Sequence, residues 1–198
     1  METDHTLLNA ARTMNRDALV KIFDLYSSAL FNYALRLCGD PLLADQIVGD
    51  VFAKLLDQLA SGNGPTSNLR SYLYETTFHR IVDESRSSQR KAPLEVAASL
   101  SYDGQHVALS VEDRLMFKQI LQAIQNDLSA DQRHVIILRF VEQFSLRETA
   151  VIMGKSVDHV KVIQNRAIAA LRRSAERHEM RKTRSSPRVG DFSKTLRV

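Results

Sequence analysis

Lys161, Val162, Asn165 and Arg166 lie within six residues of one another in a stretch with helical apolar spacing. Lysine, asparagine and arginine on the polar face of a helix are the residue types that reach phosphates and base edges of duplex DNA. Ser156 and His159 stand at the start of the same stretch, where unpaired backbone N–H groups favour a phosphate. A second group has a different character. Tyr72, Tyr74, Phe78 and His79 are interleaved with Arg70, Arg80, Arg86, Arg90 and Lys91. Aromatic rings can stack on unpaired bases while cations follow the strand. The same pattern also suits a core helix with its rings packed inward and its arginines in water. Catalytic groupings are missing from the pattern. The six histidines show no zinc-helix spacing, Cys38 is the only cysteine and has no recognisable histidine partner, and no Gly-rich phosphate loop occurs. An enzyme is therefore not expected, and no cofactor or metal is implied.

The elements that must hold these groups are helices. From Ser145 to Arg173 the chain reads as two helices and a tight turn. Ser145 with Glu148 three residues on forms a capping box, and Leu146, Thr149, Ala150 and Met153 follow at helical spacing. Gly154 supplies the freedom for a sharp break. Ser156 starts the next helix, whose apolar stripe is Val160, Ile163, Ala167, Ala170 and Leu171. This is the plan of a helix-turn-helix, whose second helix enters the major groove. An ordinary helical hairpin has the same pattern, and charge separates the two. Residues 132–198 carry 15 Lys/Arg against 6 Asp/Glu, whereas residues 1–64 carry 5 against 8. The overall net charge of +4 conceals that asymmetry. Concentrated positive charge attracts phosphates and releases counterions.

With 198 residues, 44% of them apolar, the chain can build one large or two small cores. Few β-branched alternations appear, and the fold class expected is all-α. Asp17–Leu37 places Leu19, Ile22, Phe23, Tyr26, Leu30, Tyr33, Ala34 and Leu37 on one stripe. Asp40 and Pro41 then open a helix to about Leu59, with Leu43, Ile47, Val51, Leu55 and Leu59 inward. Asp45, Gln46, Val48, Gly49 and Phe52 lie on or near its other faces; Val48 and Phe52 read either as docking residues or as the rim of the core. Ser61–Asn68 is a loop, and a long helix follows from Ser67 or Asn68. Residues 92–110 lose periodicity and read as a linker. A helix over about 111–126 and a capped helix from Ser129 to Val141 precede the helix-turn-helix. Beyond about Ala175 the tail is basic and weakly patterned. The N-terminal stretch lacks a secretory pattern and no apolar run approaches the roughly 20 residues of a membrane span, so a cytoplasmic protein without membrane insertion is expected.

Three segments in order carry a family likeness. LFNYALRLCGDPLLADQIVGDVFAKLL resembles a region ending in an acidic helix of the type DAEDLVQEVF. LRSYLYETTFHRIVDESRSSQRK is similar to a helix of the type R-x-W-L-x-x-I-A-x-N-x-x-x-D-x-x-R, with Tyr72 at the Trp and Asp83 and Arg86 in place. LSADQRHVIILRFVEQFSLRETAVIMGKSVDHVKVIQNRAIAALRR matches the family's helix-turn-helix segment. Together they resemble bacterial RNA polymerase sigma factors of the extracytoplasmic-function class. The resemblance implies two helical domains, at 1–91 and 111–177, joined by the 92–110 linker and followed by a basic tail at 178–198. It implies that Asp45, Gln46, Val48, Asp50 and Phe52 dock to the clamp of core RNA polymerase. Tyr72, His79, Arg80, Asp83, Arg86 and Arg90 would capture the unwound minus-ten element, with an extruded base near His79. Ser156, His159, Lys161, Val162, Asn165 and Arg166 would meet promoter DNA at the minus-thirty-five element.

Departures from the family pattern accompany the likeness: Gly49 for Gln, Thr76 and Thr77 for Ile-Ala, His79 for Asn, Val162 and Ile163 for Ser and Arg, and Gln164 for a core Leu. A slightly rotated stripe with Ile163 inward is expected from the last three. Many members of the family are held inactive by a covering partner, which makes an anti-sigma factor a candidate partner here. The alternative is a stand-alone regulator that dimerises through its N-terminal half and binds palindromic duplex through the helix-turn-helix.

Overall fold

The computed structural model describes residues 4–88 and 124–185. All regular structure among the described residues is helical. We number the helices α1 (Asp4–Arg12), α2 (Arg16–Cys38), α3 (Pro41–Ala60), α4 (Leu69–Ser88), α5 (Ala130–Ile136), α6 (Leu146–Ile152) and α7 (Val157–Ser185). A single turn, Ile124–Asp127, precedes α5 and is the described end of the helix expected over 111–126. The linker at 92–110, Arg90 and residues 186–198 lie outside the described residues.

Local chemistry sets the boundaries. Asn15 accepts from the Ala18 N–H and starts α2; Gly39, at φ +73°, ends it in the left-handed region that a side chain disfavours. Asp40 accepts from the Leu42 and Leu43 N–H groups with Pro41 in the first turn of α3, as its sequence predicts. Ser129 with Gln132 and Ser145 with Glu148 close two complete capping boxes.

Helix α1 was not expected from its mixed composition. It buries Leu7, Leu8 and Ala11, and the Tyr26 hydroxyl donates to its Asp4 at 3.0 Å. Burial, followed by that carboxylate, pushes the Tyr26 phenol up to about 12. The first lobe is α1–α4, with Ile22, Leu30, Ala34, Ile47, Val51, Leu55, Leu69 and Leu73 inside. The second lobe is α5–α7 with the preceding turn. The two are packed together: Val135, Ile137, Leu138, Phe144, Ala150 and Ile152 are continuous with the core of α1–α4, so one apolar interior crosses the lobe boundary.

Three expectations change. Helix α5 gives way at Ile137 to a wider turn, Ile137–Val141, in which the Glu142 N–H reaches back to the Ile137 carbonyl at 2.9 Å. Phe23, expected inward, is 48% exposed at the lobe surface, with its ring 4.8 Å from that of Phe52. Helix α7 continues to Ser185, into the stretch read as a weakly patterned tail. Glu, Arg, Met and Lys are good helix formers, and neither Gly nor Pro interrupts them before Pro187.

Candidate DNA and polymerase interfaces

In the helix-turn-helix the break falls at Met153–Gly154, where Gly154 adopts φ +60°. Its N–H reaches the Val151 carbonyl, and the Lys155 N–H reaches that of Ala150. The Lys155 ammonium pairs with Asp131 at 3.1 Å, fixing the turn to the start of α5. Ser156 accepts from the His159 N–H at 3.2 Å and opens α7 as a cap. Val160, Ile163 and Ala167 are buried against the lobe. The inward turn of Ile163 was expected from the sequence. Gln164, standing where a Leu is usual, is half-buried and accepts from Arg139 Nε at 3.1 Å. Arg139 also donates to the Phe144 carbonyl.

The outward row of α7 is Asp158, His159, Lys161, Val162, Asn165 and Arg166, all exposed, with Ser156 exposed just before it. Every residue expected at the minus-thirty-five duplex is on this one face. Asp158 belongs to the row as well and sits 3.6 Å from the Lys161 ammonium, so that cation is not wholly free.

Helix α4 separates its residues by face. His79, Asp83 and Arg86 are exposed; His79 Nε2 lies 3.9 Å from Glu75, and Asp83 lies 3.9 Å from Arg86. Tyr72 is half-buried. Arg80 is half-buried too, and is committed: its Nε donates to Asp50 at 2.8 Å and it pairs with Glu84 at 3.4 Å. The Asp50 hydrogen bond raises the Arg80 pKa. Arg80 and Asp50, expected at two different interfaces, thus form a strut between α3 and α4. Tyr74 and Phe78 turn away from the exposed face, into the lobe boundary, and Thr76 and Thr77 are buried. Thr77 satisfies its hydroxyl by donating to the Leu73 carbonyl at 2.8 Å, which is how a Thr replaces an apolar residue there.

On α3, Asp45, Gln46, Gly49 and Asp50 are exposed. Val48 and Phe52 are not: they are 6% and 9% exposed and belong to the core. The expectation that they project to a partner is corrected here. Helix α3 is covered by α2 on one side and α4 on another, so its apolar arc is wider than a single stripe. Leu42 and Leu56 are the exposed large apolar residues of this helix.

Sequence reasoning missed the boundary between the lobes. Tyr33 and His134 share a buried hydrogen bond of 2.9 Å between the hydroxyl and Nδ1. Burial lowers His134 to about 3 and raises Tyr33, so the imidazole is neutral. Phe78 meets the His134 ring edge-on at 4.7 Å, and Tyr74 meets Phe144 at 4.8 Å. Arg70 lies 4.0 Å above the Phe144 ring and donates to the Glu142 carbonyl. The Glu142 carboxylate accepts from the Tyr74 hydroxyl and pairs with Arg36 at 3.4 Å. No local pattern announces contacts between residues 56 to 106 positions apart.

The sigma-70 region 2 family matches residues 22–91, and the sigma-70 region 4 family matches residues 126–173. These matches fall on α2–α4 and on the α5–α7 lobe respectively. The chain is 26% identical over 171 residues to the extracytoplasmic-function sigma factor BldN of Streptomyces coelicolor, covering 84% of this chain and 64% of that protein. It is 25% identical over 182 residues to the sigma factor YlaC of Bacillus subtilis, covering 88% of this chain and 99% of that one. The chain is a sigma factor of the extracytoplasmic-function class. Its fold is similar to that of CnrH, solved in complex with the cytosolic domain of CnrY, with a TM-score of 0.65 at 21% identity, covering 87% of this chain and 97% of that one. It is also similar to the sigma factor RpoE of Bartonella quintana, solved with the anti-sigma factor NepR, with a TM-score of 0.63 at 24% identity, covering 79% of this chain and 95% of that one. None of the sigma factor's described helices is long and apolar enough to cross a membrane.

Proposed function

We propose that this sigma factor divides promoter recognition between its lobes, on the cytoplasmic RNA polymerase that carries it. The α5–α7 lobe reads the minus-thirty-five element as duplex. Lys161, Asn165 and Arg166 reach base edges and phosphates, Val162 contributes an apolar contact, and Ser156 and His159 approach a phosphate at the start of α7. The α1–α4 lobe captures the unwound minus-ten element along His79, Asp83 and Arg86. Arg80 acts there by holding α4 to α3 through Asp50, and Tyr72 supports the strand from a half-buried position. Asp45, Gln46 and Asp50 meet the polymerase clamp, with Val48 and Phe52 shaping that surface from beneath.

The observation that carries this reading is the exposed row on α7, aligned while Val160, Ile163 and Ala167 anchor the opposite side. An anti-sigma partner belongs to the same reading, as a protein that would cover these faces. Purified chain added to core polymerase should give initiation from a promoter with both elements, and none from core alone. Tight binding to a palindromic duplex by the chain alone, without association with core, would establish the stand-alone dimeric regulator instead.

A further inference from the structure

We infer that Asp158, Val162 and Asn165 form the line of α7 that reads base identity in the promoter duplex, and that Asp158 selects a C·G pair. The inference rests on the duplex-reading role of α7 proposed above and names what that face recognises. Its warrant is where the charges stand around the helix. Counting about 100° per residue, Asp158, Val162 and Asn165 fall within an arc of about 60°. Lys161 lies about 40° beyond one edge of that arc, and Arg166 and His159 lie about 40° and about 60° beyond the other. The middle line thus holds a carboxylate, an apolar side chain and an amide, all exposed, with the cations on either side. A helix seated in the major groove turns its flanks to the two phosphate walls and its middle to the base edges.

Asp158 is the decisive member. Its side chain is 93% exposed and pairs with Lys161 at 3.6 Å. Ser156 already caps α7 by accepting from the His159 N–H at 3.2 Å, so the carboxylate is not needed to start the helix. On a face that meets phosphates, a carboxylate lowers affinity for every sequence unless a base amino group stands opposite it. Cytosine N4 is the amino group that aspartate accepts from, whereas guanine turns two acceptors, N7 and O6, toward the groove. Lys161, drawn to the phosphate wall on its own side, leaves the carboxylate oxygens for the base. Asn165 suits adenine through N6 and N7, and Val162 suits the thymine methyl group. The three residues span about 10 Å of helix, which is about three base-pair steps. The middle line carries no Lys or Arg, the residue types that take guanine most often.

The full-length chain, alone and bound to core polymerase, is used to select from a pool of randomised duplexes, and the recovered sequences are compared between variants. Wild type should enrich C·G at one position by about fivefold or more over the other pairs. Preferences for thymine and adenine should fall within about three base-pair steps of it. Asp158→Ala should bind the pool more tightly overall and lose the C·G preference alone, keeping the other two. Asp158→Asn, whose amide matches adenine, should move the preference at that position from C·G to A·T. A residue that served only to start α7 would show no such exchange. An unchanged profile in Asp158→Ala with every duplex bound more tightly by one common factor, or loss of a preference for a pair other than C·G, overturns the role of Asp158. Absence of any duplex preference in the wild type, both alone and with core, overturns instead the duplex-reading role of α7 on which it rests.

Discussion

Removing both cations from the α7 row gives a quantitative test of the duplex-reading face. Lys161→Ala with Arg166→Ala deletes two positive charges that are exposed and point the same way. Each phosphate neutralised contributes about 0.9 to the slope of log affinity against log salt, so losing two should flatten that slope by about 1.8. Between about 50 and 200 mM salt this corresponds to wild-type affinity falling about twelvefold more than that of the double variant. The Lys161 share is the smaller, because Asp158 at 3.6 Å already neutralises part of its charge. Arg166→Ala alone should therefore flatten the slope more than Lys161→Ala alone. Asp158→Asn, which removes a carboxylate 93% exposed on the same face, should steepen it. Anisotropy of a fluorescein-labelled minus-thirty-five duplex, titrated at four salt concentrations, measures all four variants. Association with core polymerase should be unchanged throughout. An unaltered salt slope in the double variant would refute phosphate contact by this face, and lost association with core would refute the division between lobes.

Acidification supplies a further prediction. His134 falls to about 3 in the folded protein because burial disfavours its cation, whereas the unfolded chain titrates near 6.5. The unfolded state then holds the extra proton between those values, so stability is lost as pH falls from 6.5 toward 3, at up to about 1.4 kcal/mol per pH unit. Urea unfolding of wild type and His134→Phe should show a shallower pH dependence in the variant. Tyr33→Phe leaves the buried His134 nitrogen without its partner and should cost about 1–3 kcal/mol in the same assay, at neutral pH. Gly154→Ala meets open space but must adopt φ +60°, so thermal unfolding should register a loss of about 1 kcal/mol. Glu148 is held below the ordinary carboxylate range by hydrogen bonds from Ser145, a contribution present above that range and lost as pH falls through the lowered value. Glu148→Gln should flatten the stability profile there, as followed by circular dichroism.

Much of this architecture was legible because it is written locally. Asp40 before Pro41, Ser129 before Gln132 and Ser145 before Glu148 announce helix starts within four residues, and the structure closes all three caps. The inward turn of Ile163 followed from counting along a single helix. Val48 and Phe52 were ambiguous because a helix with neighbours on two sides has no single outward face. Phe23 failed for a related reason: its ring lies over Phe52 at the rim, so it is packed and exposed together. The lobe boundary was invisible in the sequence. Glu142, Arg70 and His134 each look like ordinary surface residues until folding brings distant segments together. Placing Lys161, Asn165 and Arg166 together on the exposed face of α7 needed only helical period; the strut made by Arg80 needed its partner, Asp50, thirty positions away.

The wide turn at Ile137–Val141 has a consequence for any variant that changes chain length. An α-helix advances about 100° per residue, because it completes a turn every 3.6. Deleting one residue between Ile137 and Val141 would turn the Glu142-to-Ile137 closure into the ordinary α-helical one, restoring regular winding while leaving Glu142 facing Arg36 and Tyr74. The helix-turn-helix after it would keep its own caps. A deletion of that kind would remove the wide turn without altering a single side chain at the candidate faces, whereas the same deletion in a regular stretch of helix would turn everything after it by about 100°.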